Sequence, residues 1–371
     1  MPTHLYVPII KGKTNDLKAV AKVSQASKSL VKPMLEIVPV PPDSNVDDHL
    51  HSFAHNVLKY GHTKNLFVDF YGFLPGQKLK DGLDATIAGF RLLRTKGVVL
   101  TPAYGFDRDD ALWTPLRAEV KKFGQGFCFR VDIDDLDDRS EETWEAIIER
   151  SAELGLLPEQ IDLMIDLRYV GEIKSDILRN LVVDFLAFMP AGSKYRSLIL
   201  SGSSALKEVS SIPKDGVGDV VRNELQLWMQ LQADLYGLSS FTYSDYGVVH
   251  PESTMVGPNK NANAKIRYTT KGKIKIYRGH RLADAPKYHQ YRLLADQVRN
   301  SADYRGRTFS AGDRYIDNCA DMNVGTGNLG TWVFVDMNHH IENTVVQIGK
   351  LTTTIDASFS AVEIAEAMEL A

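Results

Sequence analysis

Charged side chains stand at positions where short buried segments of this chain would end. Arg130 and Asp132 are separated by one apolar residue, so they share a face if the segment is extended. The same spacing relates Asp166 to Arg168, and Asp69 lies near the end of a third apolar segment. Carboxylate oxygens are the ligands that Mg²⁺ and Mn²⁺ prefer. Under a metal-dependent hypothesis, Asp69, Asp132 and Asp166 are the candidate metal ligands.

Hydrolysis of a phosphate ester is the reaction that such a set would support. A bound metal lowers the pKa of its water and so supplies the nucleophile. The candidate catalytic residues are Asp132, Asp166 and His339, with the histidine as acid or base because imidazole titrates near neutral pH. Lys11 and Lys13 would hold a phosphate or carboxylate group, as would Arg168.

The same charges could instead neutralise one another. Burying several charged groups is unfavourable unless they pair. In this second interpretation Arg130 and Arg168 pair with Asp132, Asp166 and their neighbours, and the interior is a structural ion-pair network. The residue types favour a site at this place without deciding which interpretation is correct.

Eight β-like segments position these charges, and most of them are followed by a helix-like stretch. Strand-then-helix alternation predicts parallel strands joined by crossover helices, and eight units predict a (β/α)8 barrel or a distorted relative. Polar residues at the carboxyl ends of the strands would then form the working face, where Lys11, Lys13, Glu36, Tyr243 and Asp245 also fall. The predicted strands are 6–10, 34–40, 66–70, 98–103, 127–133, 161–167, 198–200 and 241–246.

The alternation weakens after the eighth segment, so we divide the chain into a barrel, 1–249, and a C-terminal elaboration, 250–371. Segments 265–270 and 273–277 predict an antiparallel hairpin, and 331–336 is strand-like. A helix is predicted over 219–235. The C-terminal elaboration has α+β character and is expected to pack on the barrel as its last helix or as a lid.

Composition sets further bounds on the class of protein. The chain has 371 residues with a formal net charge of −4, which argues against a generally basic nucleic-acid binder. The basic hairpin keeps local nucleic-acid contact open, although lysines also protect an exposed strand edge. Two distant cysteines and the absence of a membrane-length apolar run predict a cytoplasmic protein.

Short motifs occur along nearly the whole chain. They are Tyr6-Val-Pro-Ile-Ile-Lys11-Gly-Lys13, Lys32-Pro33 with Glu36, Arg222-Asn-Glu224 with Trp228, Ser244-Asp245-Tyr246, Tyr268-Thr269, Arg278-Gly279, Gly312-Asp313 and Trp332 with Asn338-His339-His340. In order and spacing this series resembles the beta protein family of phages, satellite phages and bacterial mobile islands. Two positions depart from the family pattern: Ser244 stands where Gly is expected and Val333 where a basic residue is usual.

The resemblance implies a mobile-element setting, often beside antiviral or toxin-like genes, and no settled activity. It adds Arg222, Glu224 and Tyr246 to the ligand-binding candidates. Arg222 and Glu224 are two residues apart on a predicted helix, so we expect them on different faces. Asp313 and His339 would reach the barrel mouth from the C-terminal elaboration.

Two hypotheses from different classes follow. In the first, the chain is a defence-associated recognition component whose polar mouth or C-terminal surface binds a phage product, a partner protein from a defence or toxin-like locus, or an anionic small molecule. The sequence indicates no particular cofactor for this hypothesis. In the second, it is a metal-dependent phosphodiesterase or nucleotide hydrolase using Mg²⁺ or Mn²⁺. The first is favoured because no catalytic motif stands out.

Overall fold

Parallel strands close into a barrel in this computed structural model, which describes residues 4–60, 65–108, 110–137, 139–236, 239–253 and 262–357. The strands in chain order are β1 (Tyr6–Ile10), β2 (Met34–Glu36), β3 (Leu66–Asp69), β4 (Leu100–Gly105), β5 (Phe127–Asp132), β6 (Ile161–Tyr169), β7 (Ser197–Ser203), β8 (Gly216–Val221), β9 (Phe241–Asp245), β10 (Asn263–Thr269) and β11 (Lys273–Arg281).

The barrel runs in the order β1-β2-β3-β4-β5-β6-β7-β9 and closes by parallel pairing of β9 with β1. These are the eight segments that the sequence predicts, so the (β/α)8 barrel is confirmed. The α-helices are α1 (Thr14–Ala21), α2 (Gln25–Lys28), α3 (Val46–Tyr60), α4 (Ala85–Thr95), α5 (Trp113–Val120), α6 (Ile133–Leu136), α7 (Ser140–Leu154), α8 (Ser175–Ala187), α9 (Asn223–Asp234), α10 (Gln290–Arg299), α11 (Ala311–Ala320) and α12 (Leu329–Ala357).

Alternation along the strands separates two apolar layers. Inward side chains such as Met34, Phe67, Cys128, Met164 and Ile199 form one buried cluster inside the barrel. Their neighbours point outward and pack against the helices in a second, larger cluster. Successive side chains of a strand face opposite sides, so charged residues two positions beyond the inward apolar ones also face the barrel interior.

Three strands lie outside the barrel, and the sequence does not predict one of them, β8. β8 pairs antiparallel with β11, which also pairs with β10, giving a three-stranded sheet in the order β10-β11-β8. The predicted helix over 219–235 is wrong at its start, because Asp219 lies within β8 and α9 begins at Asn223. Val220 packs with Ile274 and the other apolar residues beneath this sheet, which favours the extended conformation.

The last described helix, α12, packs on α1, α11, β10 and β1. The predicted strand over 331–336 is wrong, because these residues form the first turns of α12. Trp332, Val335, Ile341 and Ile348 are all buried. A helix buried on most sides carries apolar and β-branched residues that resemble a strand in sequence. In the described part of the chain, no helix has the length and apolarity needed to cross a membrane.

Candidate functional site

Arg130 is the centre of a buried ion cluster at the barrel mouth, by which we mean the carboxyl ends of the barrel strands. Its Nη2 atom lies 2.6 Å from an oxygen of Glu36 and 2.6 Å from Asp166 Oδ2. Its Nη1 lies 2.7 Å from Asp69 Oδ2, and its Nη2 donates to the Tyr246 hydroxyl at 2.7 Å. One guanidinium therefore contacts three carboxylates that come from three different strands.

Strand register explains why these carboxylates meet. Glu36 and Asp69 are the last residues of β2 and β3, and their Cα atoms are directly paired. Asp166 lies on β6 next to β5, which carries Arg130. All four side chains have inward parity and lie above the apolar interior layer. The sequence prediction that Asp69, Arg130 and Asp166 share the barrel mouth is thus matched by their contacts.

Three further cations surround this cluster at the rim. Lys11 Nζ lies 2.5 Å from Glu36 Oε2, Arg108 Nη2 lies 3.0 Å from Asp69 Oδ2, and Arg168 Nε lies 3.4 Å from Asp166 Oδ2. Their side chains keep 11%, 13% and 22% of their surface exposed, whereas the carboxylates are almost completely buried. Solvent therefore reaches these three cations and not the three carboxylates beneath them. One exposed carboxylate, Asp107, also stands at the rim, where it pairs with Arg108.

An aromatic ring lies among these arginines. The guanidinium carbons of Arg168 and Arg108 lie 4.2 Å and 4.6 Å from the ring centre of Tyr71, within cation–π range. Tyr71 is 39% exposed, so one part of its ring remains accessible. Beside it lies a cavity of about 190 Å³ lined by apolar residues such as Leu74 and Leu112, together with Arg108.

Electrostatics keep the buried groups ionised. Burial raises the pKa of Glu36, but Arg130, Lys11 and Arg168 outweigh it and lower that pKa to about 2. Burial likewise opposes ionisation of Asp166, and the charges of Arg130 and Arg168 lower its pKa. The pKa of Arg130 lies well above its ordinary value because nearby acidic groups outweigh the effect of burial. The cluster is therefore a set of formal ion pairs.

Arg168 has an unusual backbone. Its φ is +55°, in the left-handed region that non-glycine residues rarely occupy. The pairing of β6 with β7 also shifts register between Asp166 and Tyr169. Such local strain is found at sites where a side chain must be aimed in a particular direction. Here the irregularity brings the Arg168 guanidinium over Tyr71.

Asp132 does not join the ion cluster, which corrects one predicted role. Its side chain accepts from the Asp134 backbone N–H at 3.0 Å, and Asp135 accepts from the Asp132 N–H at 3.0 Å. This capping box begins α6. Burial, then the charge of Asp107, raises the pKa of Asp132. Asp132 differs from Glu36 and Asp69, which also end their strands, because it is at the same time the N-cap of α6 and its carboxylate turns to the backbone N–H groups of that helix.

The predicted metal site is not assembled. Asp69 and Asp166 accept from Arg130, while Asp132 caps α6. Among the residues that the structure describes, no group of three or more His, Cys, Asp or Glu side chains is arranged to hold a metal ion. Lys13, the remaining predicted anion ligand near the mouth, lies just before α1. Burial lowers the pKa of Lys13, and the nearby charge of Asp16 offsets this only in part.

A second polar network lies outside the barrel wall, between β9 and α12. Asp245 accepts from the hydroxyls of Tyr6 at 2.5 Å and Tyr243 at 2.9 Å, and His340 Nε2 lies 2.9 Å away. Arg222 Nε lies 3.3 Å from Glu224 Oε1, and its Nη2 lies 3.3 Å from Asp245. The expectation that Arg222 and Glu224 diverge is wrong, because Arg222 precedes α9 and folds back onto its first turn.

His339 is also displaced from its predicted role. It is fully buried, with Nδ1 2.8 Å from Asp313 and Nε2 2.8 Å from the Thr269 carbonyl. Its ring stacks on Tyr268 at 3.8 Å between centres. Both ring nitrogens are engaged in the packing of α12 against β10 and α11. His339 and Asp313 therefore contact each other instead of reaching the mouth, and His339 is not brought together with Asp166.

Sequence reasoning missed Arg108 and the role of Tyr71. Tyr71 shares the inward parity of Asp69, which is a signal for the mouth. Arg108 follows the end of β4 by three residues, and loops after barrel strands contribute to the working face. A charged residue in that loop could have been included on position alone.

The strand order and the polar carboxyl ends define the class: a closed (β/α)8-barrel protein with an arginine-centred mouth. The chain belongs to the Beta protein family, whose model matches residues 6–346. This family assignment agrees with the resemblance seen in the sequence motifs and covers both the barrel and most of the C-terminal elaboration.

Other comparisons are weaker. A search of curated proteins finds no match. A triosephosphate isomerase from Bartonella henselae is 13% identical with a TM-score of 0.34, covering 65% of this chain and 92% of that one. The enoyl reductase domain of MlnA from Bacillus amyloliquefaciens is 12% identical with a TM-score of 0.33, covering 99% and 92%. These two likenesses support no statement about activity, and the barrel rests on the strand pairing itself.

Proposed function

We propose that this chain is a recognition component of a mobile-element or prophage defence locus, and that its barrel mouth binds an anionic ligand without turnover. The observation that carries this proposal is the use of Arg130 as a common partner for Glu36, Asp69 and Asp166. These carboxylates are occupied, whereas the cations of the rim remain accessible. The defence setting rests on the family resemblance.

The rim favours a small anion that carries a planar or apolar part. Arg168, the most exposed of the three rim cations, can offer N–H groups to a phosphate or carboxylate. Arg108 adds positive charge beside it, although its own terminal nitrogens donate to Asp107 and Asp69. The exposed part of the Tyr71 ring and the adjoining cavity of about 190 Å³ suit the remainder of such a molecule. A phage product or the acidic segment of a partner protein could present the same anionic group.

A metal-dependent phosphodiesterase or nucleotide hydrolase is the competing proposal, and the geometry favours it less. Mg²⁺ or Mn²⁺ at Asp69 and Asp166 would have to displace Arg130, which itself contacts both carboxylates. Once displaced, Arg130 would keep its positive charge in a buried position without the carboxylates that now compensate it. The hydrolase would also need an acid or base other than His339.

Thermal melting tests the two proposals together. Wild-type protein is melted with mixed nucleoside triphosphates in the presence and absence of Mg²⁺ and Mn²⁺, because ligand binding to the native state raises Tm. We expect a metal-independent rise that is lost in Arg168→Met. Arg179→Met, which removes an exposed arginine paired with Asp234 on the helical layer, is the control and should keep the rise.

A rise that requires metal, is lost in Asp166→Asn and is accompanied by nucleotide hydrolysis would favour the hydrolase instead. A rise of equal size in wild type and Arg168→Met would remove the mouth from the proposal.

A further inference from the structure

A second polar cavity lies at the opposite end of the barrel. We call it the base cavity. Its volume is about 110 Å³, and the residues around it stand before or at the beginning of the strands. The inward apolar layer, including Phe67 and Ile199, forms its inner boundary and separates it from the mouth. Its principal polar lining residues are His4, Lys32, Thr101, Asp162, Arg196 and Thr242.

Lys32 is the unusual residue of this cavity. It is only 5% exposed, its Nζ donates to Thr101 Oγ1 at 3.2 Å, and it lies 3.6 Å from the ring centre of Phe67. Its nearest carboxylate oxygen in the described chain, Asp162 Oδ2, is 3.7 Å away. Burial lowers the pKa of Lys32 to about 8, although the charge of Asp162 raises it.

Asp162 is already engaged by other groups. Arg196 donates to its two oxygens at 3.0 Å and 2.5 Å, and Ser197 Oγ donates to it at 2.6 Å. Burial, then the charge of Lys32, lowers the pKa of His4 to about 4, so His4 is neutral at pH 7. Two cations thus share one carboxylate, and the cavity holds a positive charge that its own residues compensate only in part.

Neutral hydrogen-bonding groups complete the lining. The hydroxyl of Thr242 and the amides of Asn65 and Gln125 border the same space. His4 Nε2 lies 3.4 Å from the side-chain nitrogen of Asn65 in this lining. The volume corresponds to about three or four waters at roughly 30 Å³ each. This is sufficient for a phosphate, a sulfate or a small carboxylate.

We propose that the base cavity binds a small oxyanion through Lys32 and Thr101. Asp162 is engaged mainly by Arg196, so the ligand would supply the negative charge that Lys32 lacks. It would also accept hydrogen bonds from the surrounding hydroxyl and amide donors. This proposal is independent of the proposed function, because none of the mouth residues lines the base cavity.

The test is thermal melting at pH 7 with sodium phosphate, sulfate or acetate, each at constant ionic strength adjusted with sodium chloride. Sulfate and phosphate raise the Tm of folded proteins to some extent because they are excluded from the protein surface. For at least one oxyanion we expect an additional, concentration-dependent rise in Tm from binding, and no rise with chloride alone. Lys32→Met should lose this additional rise. Lys96→Met, which removes an exposed lysine at the end of α4, should keep it and is the matched control.

Two further variants keep the outcome clear. If Lys32→Met does not fold, Thr101→Val removes one hydroxyl at similar volume and should reduce the rise. Arg168→Met distinguishes binding in the base cavity from binding at the mouth. An oxyanion bound at Lys32 should still raise the Tm of that variant. The proposal is overturned if no oxyanion gives the additional rise in Tm, or if Lys32→Met keeps that rise, whatever the result for Arg168→Met.

Discussion

Oδ2 of Asp166 lies 2.6 Å from Arg130 Nη2 and receives the Tyr246 hydroxyl at the same 2.6 Å distance. A single carboxylate oxygen is therefore shared by a cation and a phenol inside the barrel. Its other oxygen accepts from the Arg168 backbone N–H at 3.2 Å. Asp166 holds together three elements of the mouth, and this explains why it is completely buried despite its charge.

Replacing Arg130 should destabilise the whole barrel. In Arg130→Met, Glu36, Asp69 and Asp166 lose their common partner, and breaking a buried ion pair costs about 3–5 kcal/mol. Urea unfolding at pH 7 measures this loss directly. Arg179→Met breaks an exposed pair and should change the free energy of unfolding little. Equal effects of the two substitutions would contradict a structural role for the Arg130 cluster.

Asp132 and Asp166 should respond differently to the same chemical change. Asn is as good a helix cap as Asp, so Asp132→Asn should alter the free energy of unfolding by less than about 0.5 kcal/mol, whereas Asp132→Ala should lower it by about 1 kcal/mol. Asp166→Asn removes a buried anion from Arg130 and should lower it by about 3 kcal/mol or more. Urea unfolding of the three variants provides the comparison, and similar losses for both asparagine variants would be inconsistent with these roles.

The backbone conformation of Arg168 predicts that glycine is more stable than alanine at this position. Both Arg168→Ala and Arg168→Gly remove the guanidinium, but only glycine adopts φ of +55° without strain. Arg168→Gly should therefore be more stable than Arg168→Ala by roughly 1 kcal/mol. At Asp184, an exposed position of α8, the glycine variant should be the less stable one. Thermal or urea unfolding of the four variants checks the reversal.

Asp336 on α12 should give the protein a pH-dependent stability near neutrality. It is buried with Arg267 at 3.7 Å, and burial raises its pKa from 3.8 to about 7. The folded state therefore retains a proton that the unfolded chain releases. The resulting stabilisation is complete below pH 3.8, is lost as pH rises, and stays lost above about pH 7.

Asp336→Asn cannot titrate, which isolates this effect. The free energy of unfolding of the variant minus that of wild type should rise between about pH 4 and pH 7, by at most about 1.4 kcal/mol per pH unit, and then become constant. Urea unfolding at five pH values measures the curve. A difference that does not depend on pH would rule out a raised pKa for Asp336.

The sequence was sufficient for the barrel and for the centre of its mouth, because both depend on local patterns. Alternation in the segment containing Arg130 identifies its inward face, and the ends of parallel strands meet by topology. Asp132 departs from the prediction for a local reason: α6 begins directly after it, and its carboxylate accepts from a backbone N–H of that helix. The sequence pattern alone does not show whether Asp132 continues the strand or caps the helix that follows.

The remaining differences come from contacts between distant residues. β8 becomes a strand because β11 pairs with it, from Val221↔Lys273 to Gly216↔Arg278. Its glycines and the helix that follows conceal this pairing in the sequence. His339 pairs with Asp313 across the interface of α11 and α12, which residue type alone does not reveal. Propensity is overridden by tertiary context in both cases.

The position of α12 has a consequence for synthesis of the chain. α12 covers β1, where Tyr6 lies 6.4 Å from the ring of His340, yet more than 300 residues separate the end of β1 from the start of α12. At about 5–20 residues per second, a ribosome needs roughly 15 s to a minute to cover that interval. The first strand therefore emerges long before the helix that covers it, and during that interval the apolar residues that β1 turns toward α12 are without this cover.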